Sequence, residues 1–256
     1  MIPVLFEIGP IKVYSYGVML VVAFLVDYVL LRGELKRRGK DPGMAGDIVF
    51  WGAVGGIVGS RVYYLVENFG RFVKDPLGMI FSGAGLVFLG GLIGGLIAVT
   101  LLLKKRGERW LTMADTLAPL IMLGYAIGRV GCFLVGDDYG IPSRLPWAMA
   151  FPDGSPPTYV PVHPTQLYEI GLGLILFGVL WRLRTRVKPD GMLFFLYLIL
   201  AGLERFFIEF IRTNPKYLFG LSGAQIISLA MILAGAAFIM KIRSAGTGRS
   251  AVEPGR

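Results

Sequence analysis

Two residue types are nearly missing from this chain: it holds one cysteine, Cys132, and one histidine, His163, in 256 residues. A lone cysteine excludes an intramolecular disulfide. Without a second histidine or zinc-type spacing, a conventional Cys/His metal site is not expected, and no cofactor is called for. The Gly-rich phosphate loop ending in Lys-Ser/Thr is missing too, so nothing points to nucleotide use. Charge is sparse, at 17% of residues against 55% hydrophobic. No internal repeat of the kind common in transporters is visible.

What is present is apolar length. The mean hydropathy of +0.66 is too high for a soluble domain of this size, and the apolar residues come in blocks. A span needs about 20 mostly apolar residues. Seven stretches qualify: 14–31, 47–66, 83–103, 114–135, 164–181, 191–211 and 222–240. The first is not a cleavable signal, because its basic cluster follows the apolar block instead of preceding it. The fold expected is an all-α integral membrane protein of seven transmembrane helices. Residues 1–243 then form a single polytopic domain with an outer loop at about 136–162, and the small, polar 244–256 a disordered tail.

The net charge of +9 is distributed in a way that gives the orientation. Lysines and arginines cluster at 32–40, at 104–109, at 182–188 and from Lys241, after spans one, three, five and seven. The other loops hold only Arg71 and Lys74, then Arg144, then Arg212 and Lys216. By the positive-inside rule the N-terminus is outside and the C-terminus cytoplasmic. The basic loops face anionic lipid, not nucleic acid.

With that orientation, Arg61, Arg129 and Arg205 all fall in the outer half of their spans. Arg61, for example, precedes Glu67 by six residues, about 9 Å of helix. A guanidinium in a bilayer is costly and usually functional. Three at one depth, facing the headgroup layer, point to a site for a lipid phosphate. Tyr16, the Gly90–Gly91 pair, and Glu204 with Glu209 share the outer half; Asp27, Asp47 and Asp115 are inner exceptions. Simpler roles stand beside these: Arg205 and Glu209 are spaced as a helix-face ion pair, Tyr16 and Tyr168 as interfacial belt residues, Gly90–Gly91 as a packing pair, and Cys132 as a small buried hydrophobe. The 136–162 loop, with Asp137, Asp138 and several prolines, is long enough for a lid or docking segment.

The stretch Gly128-Arg129-Val130-Gly131-Cys132-Phe133-Leu134-Val135-Gly136-Asp137-Asp138-Tyr139-Gly140 resembles the signature of the prolipoprotein diacylglyceryl transferases, G-R-x-G-N-F-x-N-x-E-x-x-G. Other blocks agree in order: Ile8-Gly9-Pro10 then Tyr16-Gly17, Arg61 after a glycine-rich run, Gly90-Gly91-Leu92-Ile93-Gly94, His163-Pro164-Thr165-Gln166-Leu167-Tyr168-Glu169, and Arg205-x3-Glu209-x2-Arg212. The family's H-G-G block has Leu89 at its first position here, and Cys132, Val135 and Asp137 stand for the signature's two asparagines and its glutamate.

The resemblance implies a multi-pass protein of the bacterial cytoplasmic (inner) membrane, with its site toward the outer leaflet. It implies transfer of the diacylglyceryl group of phosphatidylglycerol to the lipobox cysteine of exported prolipoproteins. Tyr16, Arg61, Gly90, Gly91, Arg129, Gly140, Gln166, Tyr168, Glu169, Arg205 and Glu209 then become the substrate-binding set. Arg129 and Arg205 would stabilise the leaving phosphate. With Leu89 in place of histidine, His163 is a base or orienter, with Asp137 and Asp138 as alternatives. Two readings of another class stay open: a non-catalytic lipid- or lipoprotein-binding relative, and an anionic-lipid transporter.

Overall fold

The computed structural model describes residues 1–9, 11–81 and 87–250. Nine α-helices are described: α1 (Ser15–Arg37), α2 (Met44–Glu67), the short α3 (Phe69–Phe72) and α4 (Pro76–Phe81), α5 (Phe88–Lys105), α6 (Trp110–Val135), α7 (Thr165–Leu183), α8 (Met192–Ile208) and α9 (Gly223–Ser250). Each of the seven apolar blocks falls on one of the longer helices; the expected start of the third, at 83, lies outside the described residues, as does Pro10. Among the described residues, four helices are long and apolar enough to cross a membrane: α2, α6, α7 and the Gly223–Lys241 part of α9. α8 is shorter, at 17 residues. The block expected at 191–211 breaks there, because the chain tightens into a 3-10 turn over Glu209–Ile211. α9 continues past its apolar block, and 251–256 lie outside the described residues.

The expectation of an all-α chain needs one correction. Two antiparallel hairpins are present, β1 (Val4–Ile8) with β2 (Ile11–Tyr14), and β3 (Met149–Phe151) with β4 (Thr158–Val162). Glu7 pairs with Lys12 in the first, and their side chains form an ion pair at 3.1 Å. Strands of three to five residues carry too few alternations to stand out beside apolar blocks four times longer.

The chain divides into two compact units, one of Met1–Asp27 with Ala114–Arg256, the other of Tyr28–Met113. In the second unit, α2 and α5 cross on glycine. A Cβ on Gly94 would overlap the Gly55 carbonyl oxygen, one on Gly59 the Gly90 carbonyl oxygen, and one on Gly90 the Tyr63 side chain. Small residues let helix backbones touch where lipid offers no hydrophobic drive to associate. Ser60 Oγ closes the pair with a 2.7 Å bond to the Val87 carbonyl. Because backbone atoms cannot yield, Gly94→Val is expected to destabilise this pair by about 3 kcal/mol, the top of the usual overpacking range. Thermal denaturation in detergent checks this; a parental midpoint would mean the helices can part without cost. Four members of the basic clusters of this unit are ion-paired: Glu34 takes Arg37 and Arg38, Lys40 takes Glu108, and Arg106 takes Asp47.

In the first unit, α8 packs on α9 through stacked Phe195 and Phe238, 4.4 Å apart, and through Gly202 and Gly235, each facing a backbone carbonyl of the other helix. α8 has no cap from its own sequence. Its orphan amides are met from α6 instead: Asp115 accepts from Gly191 N and Phe194 N, both at 2.7 Å. The first hairpin is tied to the end of α6 by Ile2 N donating to the Leu134 carbonyl at 3.0 Å. Beyond α6, Phe151 is fully buried, stacked on Tyr139 and edge-on to Phe133.

Candidate functional site

Three helices of the first unit bring charge to one place. α6 contributes Tyr125 and Arg129, one turn apart; α7 contributes Gln166 and Glu169; α8 ends in Glu204 and Arg205. The 3-10 turn after α8 swings Glu209 and Arg212 back toward Arg205. At the centre is Glu169, with none of its side chain exposed. Its Oε1 accepts from the Tyr125 hydroxyl at 2.8 Å and from Arg205 Nη1 at 2.9 Å, with Arg129 Nη2 at 3.3 Å. Arg212 Nη1 lies 3.6 Å from Oε2. Three guanidinium groups thus converge on one buried carboxylate.

Other acids hold their outer edges. Glu209 pairs with Arg205 at 2.9 Å and with Arg212 at 3.8 Å, and accepts from Asn214 Nδ2 at 2.7 Å. Asp138 bridges Arg129, at 2.6 Å, and Arg212. The Arg129 guanidinium also lies over the Tyr125 ring, 5.1 Å from its centre, a cation–π contact. Glu204, buried, reaches the Tyr125 hydroxyl at 3.4 Å.

The loop after α6 is fastened by backbone contacts. The fully buried Thr165 and Gln166 donate to the carbonyls of Asp138 and Asp137. Asp138 sits at φ +64°, a conformation that Asn and Asp tolerate better than most residues. Gly140 is buried where the Ile211 carbonyl and the His163 and Thr165 side chains leave no room for a Cβ, and its N–H donates to the His163 carbonyl at 2.9 Å. The two neighbouring carboxyls differ. Burial pushes Asp137 up, and the charge of Asp138 pushes it further. Burial would raise Asp138 as well, but Arg212 and Arg129 outweigh it and hold Asp138 below the ordinary carboxylate range.

Of the residues singled out from sequence, Arg129, Arg205, Glu169, Glu209, Gln166, Asp137 and Gly140 come together here. Tyr16 lies against α6 at Gly131. His163 and Tyr168 form a neighbouring pair. His163 Nδ1 is 3.3 Å from the Tyr168 hydroxyl, which accepts from Trp147 Nε1 at 2.6 Å. Among the described residues, the His163 ring bonds to Tyr168 and not to the arginines. Arg61, Gly90 and Gly91 belong to the second unit, where Arg61 Nη2 donates to the Met79 carbonyl at 2.9 Å and the glycines face α2.

The sequence places Glu204 in the outer half but not beside Tyr125, does not put Arg212 and Asp138 with the other arginine-cluster members, and does not single out Tyr125 at all. The spacings Tyr125–Arg129 and Arg205–Glu209–Arg212, each a helical turn, were the available signal. One set of potential metal ligands exists among the described residues: Cys132 Sγ and carboxylate oxygens of Asp137 and Asp138, within 4.8 Å of one another. Both Asp138 oxygens are already committed to arginines, which fits an anion site better than a cation site.

The sequence model of the prolipoprotein diacylglyceryl transferases matches residues 3–241. Proteins named phosphatidylglycerol–prolipoprotein diacylglyceryl transferase are similar over 91% of this chain. The one from Bordetella avium is 38% identical across 91% of its own length. That from Methylococcus capsulatus is 40% identical across 92%, and that from Clostridium tetani 36% identical across 94%. The match takes in both units and every member of the arginine cluster, so the chain belongs to the prolipoprotein diacylglyceryl transferase family.

Proposed function

We propose that this protein transfers the diacylglyceryl group of phosphatidylglycerol to the lipobox cysteine of exported prolipoproteins. The carbon–sulfur bond of a thioether forms, the bond from the glyceryl carbon to phosphate oxygen breaks, and glycerol phosphate leaves. The observation that carries this reading is the convergence of Arg129, Arg205 and Arg212 in a chain of this family. Planar forks match a phosphate bidentately. Held in place beforehand, they stabilise charge as it develops on the leaving oxygens. The substrate thiol reacts as its thiolate, and nearby guanidinium charge favours that form. His163 takes the thiol proton. The tautomer that donates Nδ1–H to the Tyr168 oxygen leaves Nε2 as the basic position. Cys132 is buried beside Arg129 and takes no covalent part, because the attacking sulfur belongs to the substrate.

The test is turnover of a lipobox peptide with phosphatidylglycerol in proteoliposomes, together with rescue of a bacterial strain depleted of its own transferase. No thioether product from the parent protein would leave the non-catalytic relative as the better reading.

In the same proposal residues 1–243 are one membrane body in the bacterial inner membrane, crossing seven times with the N-terminus outside. The arginine cluster then faces the outer leaflet. Cysteines introduced at Lys40 and Lys105 are expected to resist membrane-impermeant maleimide in intact cells, and one at Ser155 to react. The opposite labelling pattern would overturn the orientation.

A further inference from the structure

The ion-paired groups of the cluster balance. Arg129, Arg205 and Arg212 meet Glu169, Glu209 and Asp138. An arriving anion therefore finds every guanidinium of the cluster already paired until one carboxylate gives way. Glu169 is fully buried between three guanidinium groups, and Glu209, 1% exposed, is also held by Asn214. Asp138 differs, with 41% of its side chain exposed. Its backbone is fastened through Thr165 and Gln166, while its carboxylate is held by the two arginines. The side chain can turn outward without moving the loop.

We propose that Asp138 is the charge-matching residue of the donor site. Its carboxylate occupies the Arg129–Arg212 fork when no lipid is bound, leaves it to a singly charged phosphodiester, and from beside the fork disfavours a doubly charged phosphate. The proposal rests on the transfer reaction above. One negative charge replaces one on binding. After transfer, the leaving glycerol phosphate is a monoester, whose second proton is lost near pH 6. Coulomb repulsion scales with the product of charges. The displaced carboxylate, still on its fastened backbone, then repels the leaving group roughly twice as strongly as the donor. Return of Asp138 to the fork drives product out.

The test uses Asp138→Asn and Asp138→Gly, both compatible with positive φ, in the full-length purified protein. Glycerol phosphate is titrated calorimetrically at pH 8, and the KM for phosphatidylglycerol is measured beside it. Both variants are expected to bind glycerol phosphate about tenfold tighter than the parent, which is about 1.4 kcal/mol, with a smaller drop in KM for the lipid. Unchanged or weaker binding in both variants, equal gains for lipid and glycerol phosphate, or no binding by any of the three proteins would overturn the proposal. Calorimetry needs no turnover. A parent that binds glycerol phosphate but makes no thioether sinks the reaction, and the role of Asp138 is still judged by the variants' affinities.

Discussion

Arg129→Lys is expected to lower kcat/KM for phosphatidylglycerol by about 100-fold or more, the usual cost of losing one donor aimed at developing charge. The substitution keeps the positive charge, so a site that worked by charge alone would hardly notice. Arg129 does more than carry charge. One face lies over the Tyr125 ring while Nη1 meets Asp138 and Nη2 meets Glu169. An ammonium on a flexible stem cannot hold both carboxylates and stay on the ring. Glu169 keeps Arg205 and Tyr125 in the variant, so the fold should survive, which size-exclusion chromatography in detergent can verify. A folded Arg129→Lys protein with near-parental turnover would sink bidentate phosphate recognition at this position.

His163→Ala is expected to lose about 10²–10⁴ in turnover, the range for general-base assistance, while donor binding persists. The residue before Pro164 is biased away from helical geometry, so His163 stands just outside the first turn of α7, its ring held by Tyr168. The assay is lipobox-peptide turnover across pH 6 to 9. Turnover within about threefold of the parent would remove His163 from the base role and pass it to Asp137. The pH profile then tells the two apart. Burial and Asp138 raise the Asp137 pKa, so its base form is present above that raised value and lost as pH falls through it. An Asp137-dependent rate therefore declines on the acid side sooner than an ordinary carboxylate would allow, and Asp137→Asn abolishes that limb.

The helices were legible because each depends on a property of contiguous sequence, a long apolar block. Arg129 and Arg205 were legible for a related reason: a charge inside such a block has no casual explanation. What was not legible depends on which helices become neighbours. Glu169 looked like one more polar residue at the start of a span, yet it is the carboxylate on which three arginines meet. Tyr125 reads as an aromatic in an apolar helix; only the arrival of α7 and α8 gives its hydroxyl two carboxylates. Asp138 reads from sequence as an alternative base. Its place between two guanidinium groups depends on the turn after α8, which lies inside the apolar block at 191–211 and reads there as part of one span. Gly90 and Gly91 show the converse: their spacing suited either a ligand approach or close packing, and within their unit they meet the backbone and side chains of α2.

The cap that Asp115 provides for α8 makes α6 and α8 a matched pair of rulers. Both helices run the same way from that junction, α6 to Arg129 and α8 to Arg205, and both arginines end on Glu169. Fourteen residues separate Asp115 from Arg129 and eleven separate Phe194 from Arg205, about 21 Å and 16 Å of helix. Register, once set at the capped end of α8, reaches Arg205 through helical rise. Adding a single residue between Phe194 and Arg205 would turn the guanidinium by about 100° around its axis. A change in length between the capped end and the arginine is therefore not tolerable in these two helices.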